Sequence, residues 1–499
     1  MDKEFLVFEG PDGHLECFTY RDIDFRINQF AQMCLDLGIT KGDKVNVHLP
    51  NCPEFYFAWL GLAKIGAVIV PTNILHTPHE MEFLLQHSGT KMVLVAPEQL
   101  ELIRQVKPLC PKLQCIISTG SQEQEGALIL TNLMNRQSGE LEPCDLKTED
   151  AAAILYTSGT TSKPKGVIIT HGNYIFAGEA MSRSIALQSH DRQLIVLPLF
   201  HGNAQYYSSM SAISVGGSIG LTHRFSASRY FKQAKRLGAT VGSLFAAPIR
   251  MILGQSYDLE DRENPIRLIW FAQALSENQL TQFEEKYQVQ LLQLYGMTET
   301  IGTPLMNPLI GKKDNQSIGR PTLYYQVRLV NEEGVDVSPG EAGQIIVKGI
   351  PGRTIMKEYY QNEEATKLTI RDGWLYTGDK ARLDENGFYY FVDRVKDLIK
   401  RSGENVAANE VELIINQHPK VYESAVVGIP DQIRDETIKA FVILKPGEKM
   451  KEEELINYCR LHLSKFKVPE FVEFVTDFPR TSVGKIQKHL LKNKGVQPC

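Results

Sequence analysis

Strand-like and helix-like stretches alternate through the first part of this chain, and that alternation restricts the fold more than any other feature. Residues 19–39 carry Ile23, Phe25, Ile27, Phe30, Ala31, Cys34 and Leu35 at a spacing close to three and four, which predicts a helix with one buried face. Lys44-Val-Asn-Val-His-Leu49 then alternates with period two, Asn51-Cys-Pro-Glu-Phe opens an apolar helix running to Gly66, and the β-branched run Val68–Val70 follows. The order returns as a strand at Lys91–Ala96, a helix at Pro97–Val106 and a strand at Cys115–Ser118. Strands separated by helices pack as a parallel sheet with covered faces, so the chain is expected to be an α/β protein.

Two later runs, Gly238–Pro248 and Ile266–Phe271, read as further buried strands. From about Gln326 the texture changes to short strands with turn signals, Val327–Val330 and Gln344–Lys348, which predicts a small β subdomain over about 320–393. The last hundred or so residues form another unit, with a helix carrying Glu410, Val411, Leu413 and Ile414, strands at Ser424–Ile429 and Ile438–Leu444, and a helix at Glu452–Leu463.

Composition mainly excludes. The 499 residues, 43% hydrophobic and 23% charged, suit an ordinary globular protein of about two to four domains. A net charge of −5 offers no basic footprint, so no nucleic-acid partner is expected. The most apolar stretch, Phe57–Val70, is broken by Lys64 and is too short for a membrane span, and Met1-Asp-Lys-Glu lacks a signal-peptide layout. A cytoplasmic location follows as the expectation. Eight scattered cysteines without Cys-x-x-Cys spacing read as reduced thiols, and twelve histidines without a His-Glu-x-x-His pattern predict no protein-ligated zinc.

Chemistry first shows in Leu155-Tyr-Thr-Ser-Gly-Thr-Thr-Ser-Lys-Pro-Lys-Gly166. Hydroxyls at Thr157, Ser158, Thr160, Thr161 and Ser162 can donate to phosphate oxygens. Gly159 lets the backbone approach a ligand, and Lys163 and Lys165 add positive charge. Strand, phosphate loop, strand is the expected arrangement. It is not a Walker loop, because Pro164-Lys165 stands where Gly-Lys would be needed. Taken alone, a polar surface loop would explain it too.

Further stretches supply partners for such a loop. In Leu294-Tyr-Gly-Met-Thr-Glu-Thr300 an aromatic ring beside glycine can lie against a purine, and Glu299 can hold magnesium bridging phosphates. In Trp374-Leu-Tyr-Thr-Gly-Asp379 the acid can accept two hydrogen bonds from a ribose diol. Phe391-Val-Asp-Arg-Val-Lys-Asp-Leu-Ile-Lys-Arg-Ser-Gly-Glu-Asn405 and Pro479-Arg-Thr-Ser-Val-Gly-Lys485 complete the set.

In this order the motifs resemble those of the acyl-adenylate-forming superfamily, which includes acyl-CoA synthetases, luciferases and the adenylation domains of peptide synthetases. The resemblance spans nearly the whole chain. It implies a large N-terminal domain (1–395) of two α/β-sandwich subdomains plus the β subdomain, followed by a small mobile α+β C-terminal domain (396–499). It further implies that Thr157, Ser158, Gly159, Thr160, Thr161 and Lys165 hold the leaving pyrophosphate. Tyr295 and Gly296 would meet adenine, Thr298 the α-phosphate, Glu299 the Mg2+ ion, and Asp379 and Arg394 the ribose. Lys396 would be the hinge, Gly403 would line the approach of the CoA thiol, and Lys485 would be the adenylating lysine. The implied activity is an ATP-dependent acid–CoA ligase that makes an acyl-AMP and releases AMP and pyrophosphate, with ATP, Mg2+, CoA and a small carboxylic acid as its ligands. A homodimer is left open.

Ser162, where most relatives have glycine, and the stretches Arg434–Glu436 and Lys465–Pro469 resemble the branch acting on carnitine- and crotonobetaine-like betaines. A trimethylammonium group calls for an aromatic cage. Candidates for the acyl pocket are His201, Tyr206 and Tyr207 beside Pro198-Leu-Phe-His-Gly202, together with Trp270 and Phe271. Short- or medium-chain fatty acids or aryl acids as substrates, a carrier-protein thiol as acceptor, and a non-catalytic ATP-binding protein stand as alternatives.

Overall fold

The computed structural model describes residues 2–494 apart from 158–163, 257, 395–397, 402–403, 432–434 and 482–485. Its first sheet has seven strands, in the spatial order Leu128–Ile129, Cys115–Ser118, Met92–Val95, Lys44–His48, Val68–Pro71, Ala151–Thr157 and Lys165–Thr170. All neighbours run parallel except the last pair, an antiparallel hairpin whose register closes at Thr157↔Lys165 around the phosphate-loop sequence.

A second sheet of nine strands is built around Arg192–Ile195, with Ser218–Thr222 on one side and Val241–Phe245, Leu268–Ala272 and Gln290–Tyr295 on the other. Helices between the sheets must be apolar nearly all round, whereas outer helices need only one apolar face. The helix Pro53–Lys64 obeys the first condition, burying Phe55, Tyr56, Phe57, Trp59 and Leu62. It shares one core with Tyr174 of the helix His171–Ser184 and with strand residues of both sheets. Outer layers pack Pro78–Ser88 and Leu100–Val106 on the first sheet, and Tyr230–Leu237, Ala246–Leu253 and Glu277–Tyr287 on the second.

Two expected elements are divided differently. The run Gly238–Pro248 is a strand only to Phe245; a helix starts at Ala246, with Pro248 in its first turn, where a missing N–H costs nothing. Pro97–Val106 is a 3₁₀ turn, Pro97–Gln99, before the helix Leu100–Val106. Of the apolar residues expected on one buried face of the helix Tyr20–Asp36, Phe25 and Leu35 lie on its exposed side.

The N-terminal hairpin, Glu4–Glu9 and Leu15–Thr19, joins the second sheet, with Leu6 opposite Ile219. Its end is pinned by Glu9, which is 1% exposed and accepts from Arg229, Arg236 and Gln233 on or beside the helix Tyr230–Leu237. Both arginines are about half exposed and could turn to water, so the loss should fall below that of a fully buried pair. Glu9→Ala is expected to cost about 2 kcal/mol, read as a lowered urea midpoint. An unchanged midpoint would remove Glu9 from the account of stability.

A third, antiparallel sheet spans Gln326–Val330 to Tyr389–Arg394, and a fourth comprises Glu404–Ala407, Leu398–Arg401, Asp435–Leu444, Val421–Asp431 and Phe471–Phe474. The helices Ala408–Asn416 and Glu452–His462 cover that fourth sheet, giving the α+β unit expected at the C-terminus. Among the described residues no helix is long and apolar enough to cross a membrane.

Candidate active site

Ligand crevices in open α/β sheets form beyond the carboxyl ends of strands, at the point where strand order reverses. In the nine-stranded sheet that point lies between Arg192–Ile195 and Val241–Phe245, and the site residues gather around the same end of the sheet.

Tyr295 ends its strand buried, and its hydroxyl donates to Asp379 Oδ2 at 2.7 Å. Asp379 lies opposite Arg394 in the third sheet, and Arg394 Nε is 3.2 Å from Asp379 Oδ1. Three residues far apart in the chain thus become one unit. The neighbouring Asp393, 3% exposed, accepts the Arg394 N–H at 2.8 Å and, at 3.3 Å, the N–H of Asn409 in the first turn of the C-terminal helix.

Glu299 sits in a 3₁₀ turn, Thr298–Thr300, and is 5% exposed. Burial pushes its carboxyl pKa up, while the Tyr359 hydroxyl, donating to Oε1 at 2.8 Å, and the charges of Arg394 and Lys165 pull it back. Lys165 in turn places its ammonium 4.9 Å from the centre of the Tyr359 ring. Tyr359 was not among the expected residues. Its segment lies along the edge of the strand Lys165–Thr170, with the Tyr360 N–H donating to the Gly166 carbonyl at 2.7 Å and the Ile168 N–H to the Glu358 carbonyl at 3.0 Å. The aromatic pair Tyr359-Tyr360 beside two charged residues was the available signal.

The turn carrying Glu299 is held in strain. Ile301, β-branched, has φ 65°, a conformation that persists only when its surroundings enforce it. Here the Tyr325 hydroxyl does so, donating to the Thr300 carbonyl at 2.9 Å while accepting the Gly302 N–H at 2.9 Å. Gly296 has a separate reason: a Cβ there would lie 2.4 Å from the Tyr207 hydroxyl oxygen and 3.1 Å from the Gly302 carbonyl oxygen. Gly296→Ala is therefore expected to introduce a strain of roughly 1–3 kcal/mol, read as a lowered urea midpoint. Tyr207→Phe in the same chain should recover part of the loss, and no recovery would mean that another contact is responsible.

The acyl-pocket candidates divide. Residues Asn203–Ser209 form a wholly buried π-helical segment directly after His201, in contact with both strands at the switch point. Tyr206 packs edge-on to Tyr174 and Tyr207 and lies within reach of the charge of Glu299. Trp270 shares the core between the sheets with them, and burial pushes His201 down to about 4, so its imidazole is neutral. Phe271 does not join them. Adjacent residues of a strand face opposite ways, and Phe271 packs in the outer cluster with Phe231 and Phe283.

Thr157 ends its strand, its hydroxyl 3.5 Å from the Lys165 carbonyl oxygen. Ser158, Gly159, Thr160, Thr161, Ser162, Lys396, Gly403 and Lys485 lie outside the described residues.

A family model described as AMP-binding enzyme matches residues 1–360, and one for the AMP-binding enzyme C-terminal domain matches residues 410–485. The chain belongs to the AMP-binding enzyme family.

Its relatives there include a crotonobetaine/carnitine–CoA ligase of Salmonella typhimurium, 42% identical over 98% of this chain and 96% of its own length. Among solved structures, the anthranilate CoA ligase AuaEII with anthranoyl-AMP aligns at TM-score 0.92 and 28% identity, covering 99% of this chain and 94% of that one. ATP-bound MatB from Rhodopseudomonas palustris aligns at 0.89 and 27% identity, covering 99% and 96%, whereas apo MatB aligns at only 0.77 over the same shares. By TM-score this chain is thus closer to the ATP-bound MatB structure than to the apo one.

Proposed function

We propose that this member of the family is an ATP-dependent acid–CoA ligase working through an acyl-AMP, with a carnitine- or crotonobetaine-like betaine as its acid. The observation that carries the ligase reading is the convergence of Tyr295, Asp379, Arg394 and Glu299 in one crevice.

A carboxylate is a poor acyl donor because its leaving group would be oxide. In the first step its oxygen attacks the α-phosphorus of ATP and pyrophosphate leaves. Two anions must meet, so preorganised positive charge is required. Lys165 and Lys485 are assigned to it, the hydroxyls of Thr298 and of the residues after Thr157 to phosphate contacts, and Asp379 and Arg394 to the ribose. Lys165 is assigned to the leaving pyrophosphate and Lys485 to the reacting carboxylate and α-phosphate.

Glu299 fits a magnesium site: Tyr359 occupies one of its oxygens, and burial makes a carboxylate charge without a cation costly. Bound there, magnesium would neutralise charge on the phosphates. In the second step the CoA thiol attacks the acyl carbonyl and AMP leaves. One site cannot easily hold both Lys485 and a long thiol arm, which gives the C-terminal domain a reason to turn about Lys396, with Gly403 beside the thiol's path.

Full-length identity to relatives named for crotonobetaine and carnitine supports the betaine. So does the pocket. The Tyr206 hydroxyl and Trp270 Nε1 are buried without a hydrogen-bond partner among the described residues. A quaternary ammonium pairs with neither atom; what this cluster offers a betaine is the aromatic faces of Tyr206, Tyr207 and Trp270. The test is CoA-thiol loss and pyrophosphate release across betaines, fatty acids and aryl acids. Turnover of butyrate or hexanoate with none of crotonobetaine, carnitine or γ-butyrobetaine would overturn the betaine and leave the ligase.

A further inference from the structure

Away from the crevice, a buried cluster ties the N-terminal domain to Arg480, which precedes Lys485 in the sequence. Glu423, on the strand Val421–Asp431 and 4% exposed, is shared by two arginines. Arg250, on the helix Ala246–Leu253, donates to Glu423 Oε1 at 2.8 Å, and Arg480 reaches both carboxylate oxygens. The arginine side chains are only 14% and 17% exposed.

Each end of this cluster leads somewhere useful. Arg480 forms an antiparallel bridge with Ile486, and the Gln487 N–H donates to the Pro479 carbonyl at 2.8 Å, so the described residues on either side of 482–485 are tied together at Arg480. Phe478 beside it is anchored in the C-terminal domain against Phe441 and Leu491. At the other end, Arg250 Nη1 donates at 3.3 Å to the carbonyl of Ala274, just past the strand Leu268–Ala272. Gln273, between them, has φ 78°.

We propose that Arg250, acting through Glu423 and Arg480, is a positioning residue for the first half-reaction: it holds Arg480, which precedes Lys485 in the sequence, against the N-terminal domain and lets go before the second. This rests on the ligase reading above. The cluster is suited to release because its members are unequal. Glu423 and Arg480 belong to the same domain and stay paired when it turns, so no buried carboxylate is abandoned. Arg250 alone changes partner, and it keeps the Ala274 carbonyl.

The same asymmetry makes Arg250→Ala a clean variant, since the Glu423–Arg480 pair survives it. Single-turnover pyrophosphate release from acid plus ATP should fall about 10–100-fold in the full-length protein. Thioester formation from supplied acyl-AMP and CoA should hold its rate or rise, which also shows that the variant is folded. Arg250→Lys keeps a charge for Glu423 but lacks the fork that also reaches the Ala274 carbonyl, and should recover part of the loss. An equal fall in both half-reactions, or a fall in neither, would overturn the positioning role. Absence of pyrophosphate release from the unmutated chain with every acid would instead overturn the ligase reading, and this inference with it.

Discussion

Lys485→Ala is expected to lower acid-dependent pyrophosphate release about 10²–10³-fold while sparing thioester formation from supplied acyl-AMP. In the first step charge develops between the incoming carboxylate and the α-phosphate, and a lysine ammonium can neutralise it. In the second step the attacking group is a thiol and AMP already carries its phosphate charge, so no such neutralisation is needed. The two half-reactions measured separately decide the matter. Equal loss in both would refute the division of labour between domains.

Glu299→Gln should have an effect of similar size on the first step, about 10²–10³-fold, because it keeps the shape and removes the charge that would hold magnesium. The unmutated residue carries a pH signature as well. Burial raises its pKa, so its protonated, non-coordinating form persists to higher pH than for an ordinary carboxylate. Magnesium activation should therefore be complete well above that raised pKa and be lost as pH falls through it. Tyr359→Phe deletes a hydrogen bond that favours the ionised form, so it should shift this acid limb upward in pH. A limb at the ordinary carboxylate position, unmoved by Tyr359→Phe, would contradict the assignment.

Much of this was legible in the sequence, for identifiable reasons. Period-two and helical spacings mark elements whose burial pattern is local, and so the strands Lys44–His48 and Cys115–Ser118 and the helix Pro53–Lys64 fall where the spacing predicts them. The two strands on either side of 158–163 were readable from an apolar and a β-branched run, though not their antiparallel pairing. Pairing over long sequence distances was not. Nothing local tells Leu6 that it will lie beside Ile219, or Arg250 that it will meet Glu423.

Tyr359 escaped notice because its role depends on a segment crossing from the third sheet to the edge of the first. The error at Phe271 was avoidable. Neighbours in a strand cannot both face one pocket, and the choice between Trp270 and Phe271 needed only the knowledge of which side was the interior.

The central claim is that a carboxylate oxygen becomes bonded to the α-phosphorus of ATP before any thioester forms. The most direct measurement uses an acid labelled with oxygen-18 in its carboxylate, with ATP and CoA, and follows the label by mass spectrometry. The account predicts one labelled oxygen in AMP for each thioester made, with none in pyrophosphate. Thioester formed with unlabelled AMP, or with the label in inorganic phosphate alongside ADP, would contradict it.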